Sequence, residues 1–375
     1  MKSLLWACKS FDYVFIFRNN GDPSGFKNIL FASNELSSTN SLEDLNEHNL
    51  SNTCGFIQYD VKNQIEHLES TNPSNFEFSP LAFLKNPLKI EFENTTVKIN
   101  SSKALKIWES ILATKIPHLS SSLFTFSCKE KKEDYIKTVQ KLKDHIIEGD
   151  VYEICYCLEY LSKNIQLDHP EVLFNELCKK RPKPFASFVK QKEQYLIGDS
   201  PERFIKKTNN KLISQPIKGT IKRGKTFEED QQLKEQLLND PKERAENLMI
   251  VDLVRNDLAR VSKKGSIHVD ELFGIYTFPN VHQMISTISS ELEDKSTFPD
   301  IIRGTFPMGS MTGAPKIMAM RLIDQYESFK RGLYSGTIGY FEKTEFDFNV
   351  VIRSLQYNTK TKTLGYHVGL SLIHI

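Results

Sequence analysis

The stretch Gln215-Pro216-Ile217-Lys218-Gly219-Thr220-Ile221-Lys222-Arg223-Gly224 carries more information about structure and chemistry than any other part of this 375-residue chain. Pro216 and the β-branched Ile217 predict an extended segment. Gly219 allows the backbone to pass close to a neighbouring group. The sequence therefore predicts that Lys218 is held in a fixed position within a strand.

The chemistry of Lys218 depends on its charge, because an amine is a nucleophile only when it is neutral. With an ordinary pKa of about 10.4, roughly one lysine in two thousand is neutral at pH 7. We expect burial or a nearby cation to lower the pKa of Lys218, and Lys222 and Arg223 are the candidate cations. The alternative is a solvated lysine at the edge of a strand.

The composition is that of an ordinary globular protein, with 39% hydrophobic and 26% charged residues. The 49 basic and 47 acidic residues give a net charge of +2, so we expect neither nucleic acid nor a membrane as a partner. The six cysteines include no Cys-x-x-Cys pair and are expected to be reduced thiols. No signal peptide or apolar membrane span is evident, which predicts a cytoplasmic protein.

The chain is predicted to have two portions, an amino-terminal β-rich portion at 1–127 and a catalytic portion at 128–375. Strand-like runs separated by polar turns fill the first portion. Helical spacing of apolar residues follows at 130–147, and a strand is predicted at 151–160.

Glu202 is a candidate acid or base. A hairpin turn at Thr208-Asn209-Asn210 would place it on the strand preceding that of Lys218. A carboxyl group in that position could donate or accept a proton at a leaving hydroxyl group. The alternative is a surface ion pair with Arg203 or a lysine.

Glu243 and Glu246 lie three residues apart near the start of a predicted helix that runs to about Val261. Asp240 is the predicted N-cap and Pro241 fits the first helical position. Two carboxylates on one helical face suit a hard cation such as magnesium. The alternative is a solvated helix face.

Three further features suggest substrate contacts. The glycine-rich turn from Gly309 to Lys316 opens a helix and favours a carboxylate, although Pro315 and the spacing exclude a phosphate loop. Arg353 ends an apolar strand, where it could grip a carboxylate or form a buried structural pair. His282 could transfer protons or be a satisfied core histidine.

Six motifs occur in order along the chain: Ser200-Pro201-Glu202-Arg203-Phe204, Pro216 to Thr220, Glu243 to Leu258, Gly309 to Lys316, Gly336-Thr337-Ile338-Gly339-Tyr340 and Asp347 to Arg353. In this combination the chain resembles the chorismate-utilising enzymes over roughly residues 130 to 369. The resemblance implies an α+β fold in which two antiparallel β-sheets face each other, helices cover the outside, and the substrate lies between.

The resemblance also implies a reaction. Anthranilate synthase large subunits have alanine where this chain has Lys218, whereas the aminodeoxychorismate synthase component I branch has lysine. This pattern implies that Lys218 attacks C2 of chorismate while the C4 hydroxyl leaves, and that ammonia then adds at C4, on the route to p-aminobenzoate and folate. Anthranilate synthase component I and a catalytically impaired chorismate-binding protein are the alternatives.

Roles for individual residues follow from the same resemblance. It implies catalytic roles for Lys218, Glu202 and His282, and magnesium binding by Glu246 and Glu243. The residues implied in chorismate binding are Gly219, Thr220, Thr312, Tyr340, Arg353 and Gly369. Because no Gly-x-Cys-x-Gly motif of a glutaminase is present, a separate glutamine amidotransferase subunit is expected to supply ammonia.

The resemblance ends near Gly369. Family members continue with a strand and a helix that bears a second magnesium-binding glutamate, whereas this chain reads Gly369-Leu370-Ser371-Leu372-Ile373-His374-Ile375. We therefore expect a truncated carboxy terminus, with weaker magnesium binding as a result.

Overall fold

Two large antiparallel β-sheets, with helices packed around them, form the molecule. The computed structural model describes residues 1–45, 50–117 and 124–373. The strands in chain order are β1 (Tyr13–Arg18), β2 (Ile29–Ser33), β3 (Leu36–Thr39), β4 (Cys54–Ile57), β5 (Leu81–Leu84), β6 (Leu88–Glu93), β7 (Thr96–Ile99), β8 (Ser127–Cys128), β9 (Glu153–Ser162), β10 (Phe185–Gln191), β11 (Gln194–Ser200), β12 (Arg203–Thr208), β13 (Lys211–Gln215), β14 (Ile217–Lys222), β15 (His268–Thr277), β16 (Val281–Glu291), β17 (Gly313–Ala314), β18 (Thr337–Glu342), β19 (Glu345–Val350), β20 (Ser354–Asn358) and β21 (Thr363–Ile373).

Each sheet draws strands from distant parts of the chain. The first sheet has the order β17-β9-β21-β20-β11-β10-β1-β2-β6-β7, with β8 also paired to β9. The second has the order β14-β16-β13-β12-β19-β18-β4-β5-β3, with β15 also paired to β16. Both sheets contain strands from before and after residue 127, with the earlier strands β1, β2, β6 and β7 at one end of the first sheet and β3, β4 and β5 at one end of the second. The predicted division at 127/128 stays a prediction.

The helices cover the outer surfaces of the two sheets. Their bounds are α1 (Lys2–Ser10), α2 (Lys62–Ile65), α3 (Ala104–Ala113), α4 (Lys132–Ile147), α5 (Pro170–Lys180), α6 (Phe227–Asn239), α7 (Pro241–Ala259), α8 (Phe298–Thr305) and α9 (Lys316–Tyr326). α4 and α7 lie within two residues of their predicted positions. The predicted α+β architecture of facing antiparallel sheets is confirmed.

The packing explains why strand β1 is apolar along its whole length. Phe15 and Phe17 point between the sheets, where the ring of Phe15 lies 6.1 Å from that of Phe56 on the second sheet. Val14 and Ile16 point the opposite way, into a separate cluster under α1, α3 and α5. Because both faces of this strand are buried, its sequence is a continuous apolar run and not an alternating one.

No helix in the described ranges combines the length and the apolar character that a bilayer span requires. All six cysteines are free thiols, as predicted.

A buried guanidinium, that of Arg331, joins the loop before β17 to strand β9. Its Nη1 donates to the carbonyl oxygen of Met311 at 2.6 Å, and its Nη2 donates to that of Cys155 at 2.7 Å. Glu327 neutralises it through two bonds of 2.6 and 2.9 Å, and both side chains are 1% exposed. A bidentate pair of this kind holds the loop and the strand at a fixed distance.

We predict that Glu327→Ala lowers the free energy of unfolding by about 3–5 kcal/mol, because it leaves a buried charge on Arg331 without a partner. Urea denaturation followed by circular dichroism measures the change. The control is Glu93→Ala, which removes an exposed pair with Lys98 and should cost no more than about 1 kcal/mol. Equal losses in the two variants would contradict this role for Glu327.

Candidate active site

A β-bulge in strand β14 places Lys218. The hairpin between β12 and β13 turns at Asn209, as predicted, and β14 continues beyond Pro216 along the same partner, β16. The register with β16 shifts between Ile217 and Thr220, and Gly219 has φ +96°. A Cβ at Gly219 would lie only 3.1 Å from a carboxylate oxygen of Glu243. Position 219 therefore requires glycine, both because of its positive φ and because a Cβ has little space there. The bulge also changes the direction of the preceding side chain, that of Lys218.

The Lys218 side chain crosses from the second sheet to the first. Its Nζ donates to Glu153 Oε1 at 2.5 Å and to Ser371 Oγ at 3.2 Å. Ser371 Oγ in turn donates to the same oxygen of Glu153 at 2.7 Å. The lysine side chain is 10% exposed and that of Glu153 only 1%. The prediction of a held lysine is confirmed, and the alternative of a solvated lysine is excluded.

The resting charge of Lys218 differs from the prediction. Burial acts to lower its pKa, but the negative charge of Glu153, followed by Cys155 and Glu246, outweighs burial and raises the pKa above its ordinary value. The expectation that Lys222 and Arg223 lower this pKa is wrong, because Lys222 is exposed and Arg223 pairs with Asp230 at 2.8 Å. The amine is therefore an ammonium ion in the resting site.

Glu202 is a buried carboxyl group beside this lysine. Its side chain lies against Ser310, whose hydroxyl donates to Oε1 at 2.8 Å. Burial raises the pKa of Glu202 to about 7, although the Ser310 hydrogen bond and the charge of Lys218 both act to lower it. The alternative of a surface pair with Arg203 is excluded, since Arg203 binds Asp347 through two bonds of 2.9 and 3.0 Å. Glu202 can thus donate or accept a proton near neutral pH.

Glu243 and Glu246 lie on the first turns of α7, which packs against β14. The N-cap Asp240 accepts hydrogen bonds from the backbone N–H groups of Lys242 and Glu243, both at 3.0 Å, as the sequence predicted. Glu246 is buried and Glu243 half-buried. Lys242 Nζ lies 3.1 Å from Glu246 Oε1 and 3.7 Å from Glu243 Oε1, so this exposed ammonium neutralises both carboxylates.

The donor set of these two glutamates fits a hard cation. Both offer carboxylate oxygens on the face of α7 that meets the glycine of the bulge. Magnesium typically takes one or two protein carboxylates and completes its shell with waters and an acidic substrate. Among the described residues, His145, Glu148 and Asp150 form a group of three potential metal ligands, and this group lies outside the site. Glu243 and Glu246 would therefore hold the ion together with the substrate.

His282 lies on strand β16, next to the strand that carries Lys218. It is fully buried, its Nε2 lies 2.8 Å from Asp230 Oδ1, and its Nδ1 lies 3.0 Å from Thr277 Oγ1. These are the contacts of a satisfied core histidine, and a catalytic role for His282 stays a prediction. The next residue, Gln283, points to the other face of β16 and donates to Thr220 Oγ1 at 3.4 Å.

Tyr340 lies on strand β18. Its ring packs between the sheets, 5.1 Å from that of Phe17 and 5.6 Å from that of Phe26, and its hydroxyl accepts a hydrogen bond from the Lys27 N–H. The side chain is part of the core, and the role of Tyr340 in holding substrate stays a prediction. Tyr334, which the sequence reading missed, has its hydroxyl 3.5 Å from the point where a Cβ at Gly369 would stand.

Gly369 provides an open stretch of strand β21 beside the lysine. A Cβ there would lie 3.0 Å from Cys155 Sγ and 3.2 Å from Cys157 Sγ, so no larger residue fits without displacing a thiol. The glycine is itself exposed. Thr312 lies nearby and is fully buried, with its carbonyl oxygen accepting from Cys155 N–H at 2.8 Å. The roles of Gly369 and Thr312 in chorismate binding stay predictions.

Arg353 is an exposed residue in the left-handed backbone region, with φ +54°. Its positive charge acts to lower the pKa of Glu202, so the two groups are near each other. The Arg353 guanidinium forms no ion pair with the described residues, and the residue is exposed. The alternative of a buried structural pair is therefore excluded. A strained, unpaired arginine at this position is suited to binding a substrate carboxylate.

The sequence of residues 12–373 matches the family of chorismate binding enzymes, so the chain belongs to that family. It is 30% identical over 354 residues to aminodeoxychorismate synthase component 1 of Bacillus subtilis (strain 168), a match that covers 89% of this chain and 74% of the other. It is 40% identical over 245 residues to the probable chloroplastic aminodeoxychorismate synthase of Oryza sativa subsp. japonica.

The extent of these matches differs. The match to the rice protein covers 64% of this chain but only 27% of the length of the rice protein. Anthranilate synthase component I from Streptococcus pneumoniae TIGR4 superposes with a TM-score of 0.79 at 23% identity, covering 96% of this chain and 85% of that one. This structural likeness supports the fold of facing sheets.

We predict that Glu202→Gln makes the protein more stable at pH 8 but not at about pH 4. At low pH both states of the wild-type protein hold the proton. As pH rises, Glu202 loses its proton in the unfolded chain before it does so in the folded protein, whose Glu202 pKa is about 7. The wild-type protein therefore loses stability up to about pH 7, whereas a glutamine at this position does not ionise and causes no such loss. The gain at pH 8 is at most a few kcal/mol.

Urea denaturation at both pH values measures this difference. The control is Glu133→Gln on the exposed face of α4, which should change little at either pH. A loss of stability at pH 8, or a gain of the same size at both pH values, would show that Glu202 is not a carboxyl group with a raised pKa.

Proposed function

We propose that this protein converts chorismate and ammonia to 4-amino-4-deoxychorismate, with Lys218 as the covalent nucleophile and Glu202 as the proton donor and acceptor. This product lies on the route to p-aminobenzoate and folate. The observation that carries the proposal is the presence of a buried lysine on a β-bulge beside a carboxyl group whose pKa is about 7. Relatives named aminodeoxychorismate synthase support it.

The two residues perform opposite tasks. Lys218, once neutral, forms a bond from Nζ to C2 of chorismate, which splits a difficult displacement into two easier ones. Glu202 in its protonated form gives a proton to the C4 oxygen, which departs as water. Ammonia then bonds to C4 while the bond between C2 and Nζ breaks. Glu202 takes the surplus proton of the new amino group.

The remaining residues bind and orient the substrate. Arg353 offers a free guanidinium for a carboxylate, and the exposed Gly369 leaves open strand backbone for the ring, with the Tyr334 hydroxyl close by. Glu243 and Glu246 would hold magnesium, which when bound withdraws charge from a ring carboxylate and makes C2 more electrophilic. Lys242 must release the two carboxylates before they can hold the ion.

A glutamine amidotransferase subunit is the proposed source of ammonia. The name of the Bacillus relative, component 1, supports a partner subunit. The chain contains no Gly-x-Cys-x-Gly motif for glutamine hydrolysis. Free ammonium in the assay replaces the partner, so the synthase reaction is testable on this chain alone.

We predict that Lys218→Ala lowers the rate of aminodeoxychorismate formation by at least about 10³-fold while the protein stays folded. The assay contains chorismate, ammonium and magnesium, with a lyase that converts aminodeoxychorismate to p-aminobenzoate. The matched control is Lys222→Ala on the same strand, whose exposed amine should be dispensable.

The products decide between the candidate functions. Anthranilate fluorescence without p-aminobenzoate would identify the wild-type protein as an anthranilate synthase. Binding of chorismate without turnover in saturating magnesium would identify a non-catalytic chorismate-binding protein. Full activity of Lys218→Ala would refute the covalent mechanism.

We predict that Glu246→Gln weakens magnesium binding in the presence of chorismate by about 10–100-fold, because it removes the buried carboxylate of the pair. Titration calorimetry measures the affinity and the assay measures the magnesium dependence. The control Asp252→Asn changes an exposed carboxylate on the same helix. Unchanged affinity in Glu246→Gln would place the ion elsewhere.

A further inference from the structure

Glu153 is a site residue to which the sequence reading gave no role. Its Oε1 accepts hydrogen bonds from Lys218 Nζ at 2.5 Å and from Ser371 Oγ at 2.7 Å. Its Oε2 is buried and has no hydrogen-bond partner among the described residues. This carboxylate therefore contacts the nucleophile through Oε1, while Oε2 accepts no hydrogen bond from the described residues.

The proposed function requires a proton acceptor for Lys218, because the resting amine is charged. Four titratable groups act on it: Glu153 and Cys155 from β9, Glu246 from α7, and Glu202 from the turn before β12. Among the described residues, Glu153 is the carboxylate hydrogen-bonded to Nζ. Glu202 is required in its protonated form at the C4 oxygen, so it cannot also take this proton.

The other two groups are engaged elsewhere. Glu246 Oε1 lies 3.1 Å from Lys242 Nζ. The thiol of Cys155 interacts with that of Cys157, a hydrogen bond that acts to lower the pKa of Cys155. Neither forms a hydrogen bond with Nζ of Lys218 in the described structure.

We propose that Glu153 accepts the proton of the Lys218 ammonium before attack and returns it when the lysine departs from C2. This inference rests on the proposed function. The geometry supports a direct transfer along the 2.5 Å contact, without water. Ser371, which donates to the same oxygen, holds the carboxylate in place.

The protons and electrons balance over the cycle. The ammonium of Lys218 and the carboxylate of Glu153 become an amine and a carboxylic acid. The amine's electron pair forms the bond to C2, the ring double bonds shift, and the bond from C4 to oxygen breaks, with a proton from Glu202 completing water. Ammonia's electron pair then forms the bond to C4, and the bond between C2 and Nζ returns its pair to nitrogen. Glu202 takes the extra proton of the new amino group, and Glu153 returns its proton to Lys218.

The first experiment measures the protonation of Lys218 without reference to turnover. Competitive labelling with acetic anhydride across pH, read by peptide mass spectrometry, gives the pH midpoint of Lys218 reactivity. We expect a midpoint above that of ordinary lysines in the wild-type protein, a lower midpoint in Glu153→Gln, and an intermediate one in Glu153→Asp. The control Glu171→Gln, at a buried carboxylate on α5, should leave the midpoint unchanged.

The second experiment measures turnover of the full chain with chorismate and ammonium. Glu153→Gln should lose about 10²-fold or more of kcat at pH 7 with KM for chorismate nearly unchanged. In Glu153→Gln the solvent must take the proton of Lys218. The kcat of this variant, divided by that of the wild-type protein, should therefore rise about tenfold for each unit increase in pH. Glu153→Asp should recover part of the loss, which a merely structural role would not produce. Thermal melting monitors folding of each variant.

The outcomes separate this inference from the proposed function. Wild-type protein that makes no aminodeoxychorismate refutes the proposed function, and the labelling midpoints then decide whether Glu153 controls Lys218. An unchanged midpoint in Glu153→Gln overturns the inference. So does a Glu153→Gln protein with kcat within threefold of wild type at pH 7 and the same pH profile.

Discussion

The contact on which the site depends is the ion pair between Lys218 and Glu153, because it joins the two sheets. Lys218 projects from β14 of the second sheet, and Glu153 and Ser371 belong to adjacent strands of the first. A buried pair of charges is tolerated only when its geometry is good and its other hydrogen bonds are met. The sheets must therefore meet at a fixed spacing here, and Gly219 permits the bulge that brings the lysine across.

The same crowding of charge sets the chemistry of the site. One buried ammonium, Lys218, is surrounded by the carboxyl groups of Glu153, Glu202 and Glu246, and these groups lie in different environments. Glu153 is hydrogen-bonded to the ammonium, whereas Glu202 is bound to a neutral hydroxyl and holds its proton up to about pH 7. Environments of this kind divide acid and base tasks among side chains of one chemical type. Protons can then move within the site while its net charge stays constant.

The sequence was sufficient for the parts of this site that depend on local structure. A proline, a glycine and a two-strand hairpin locate Lys218 and Glu202, since both lie within one short stretch of chain. No local signal points to Glu153, which lies 65 residues from its partner and meets it only through the packing of two sheets. The role of His282 is equally hard to read from sequence, because a single residue of strand register decides which face of β16 a side chain occupies. Tyr334 was missed for a related reason: its position opposite Gly369 depends on contacts between strands distant in sequence.

The scaffold alone does not choose the reaction. A chain with 23% identity and the name anthranilate synthase component I shares this fold with a TM-score of 0.79, so the sheets and helices are compatible with different products. In this chain the bulge presents Lys218 between the sheets. An alanine there would leave Glu153 as a buried carboxylate without a cation, which is costly to bury. The residues at positions 218 and 153 are therefore coupled across the two sheets.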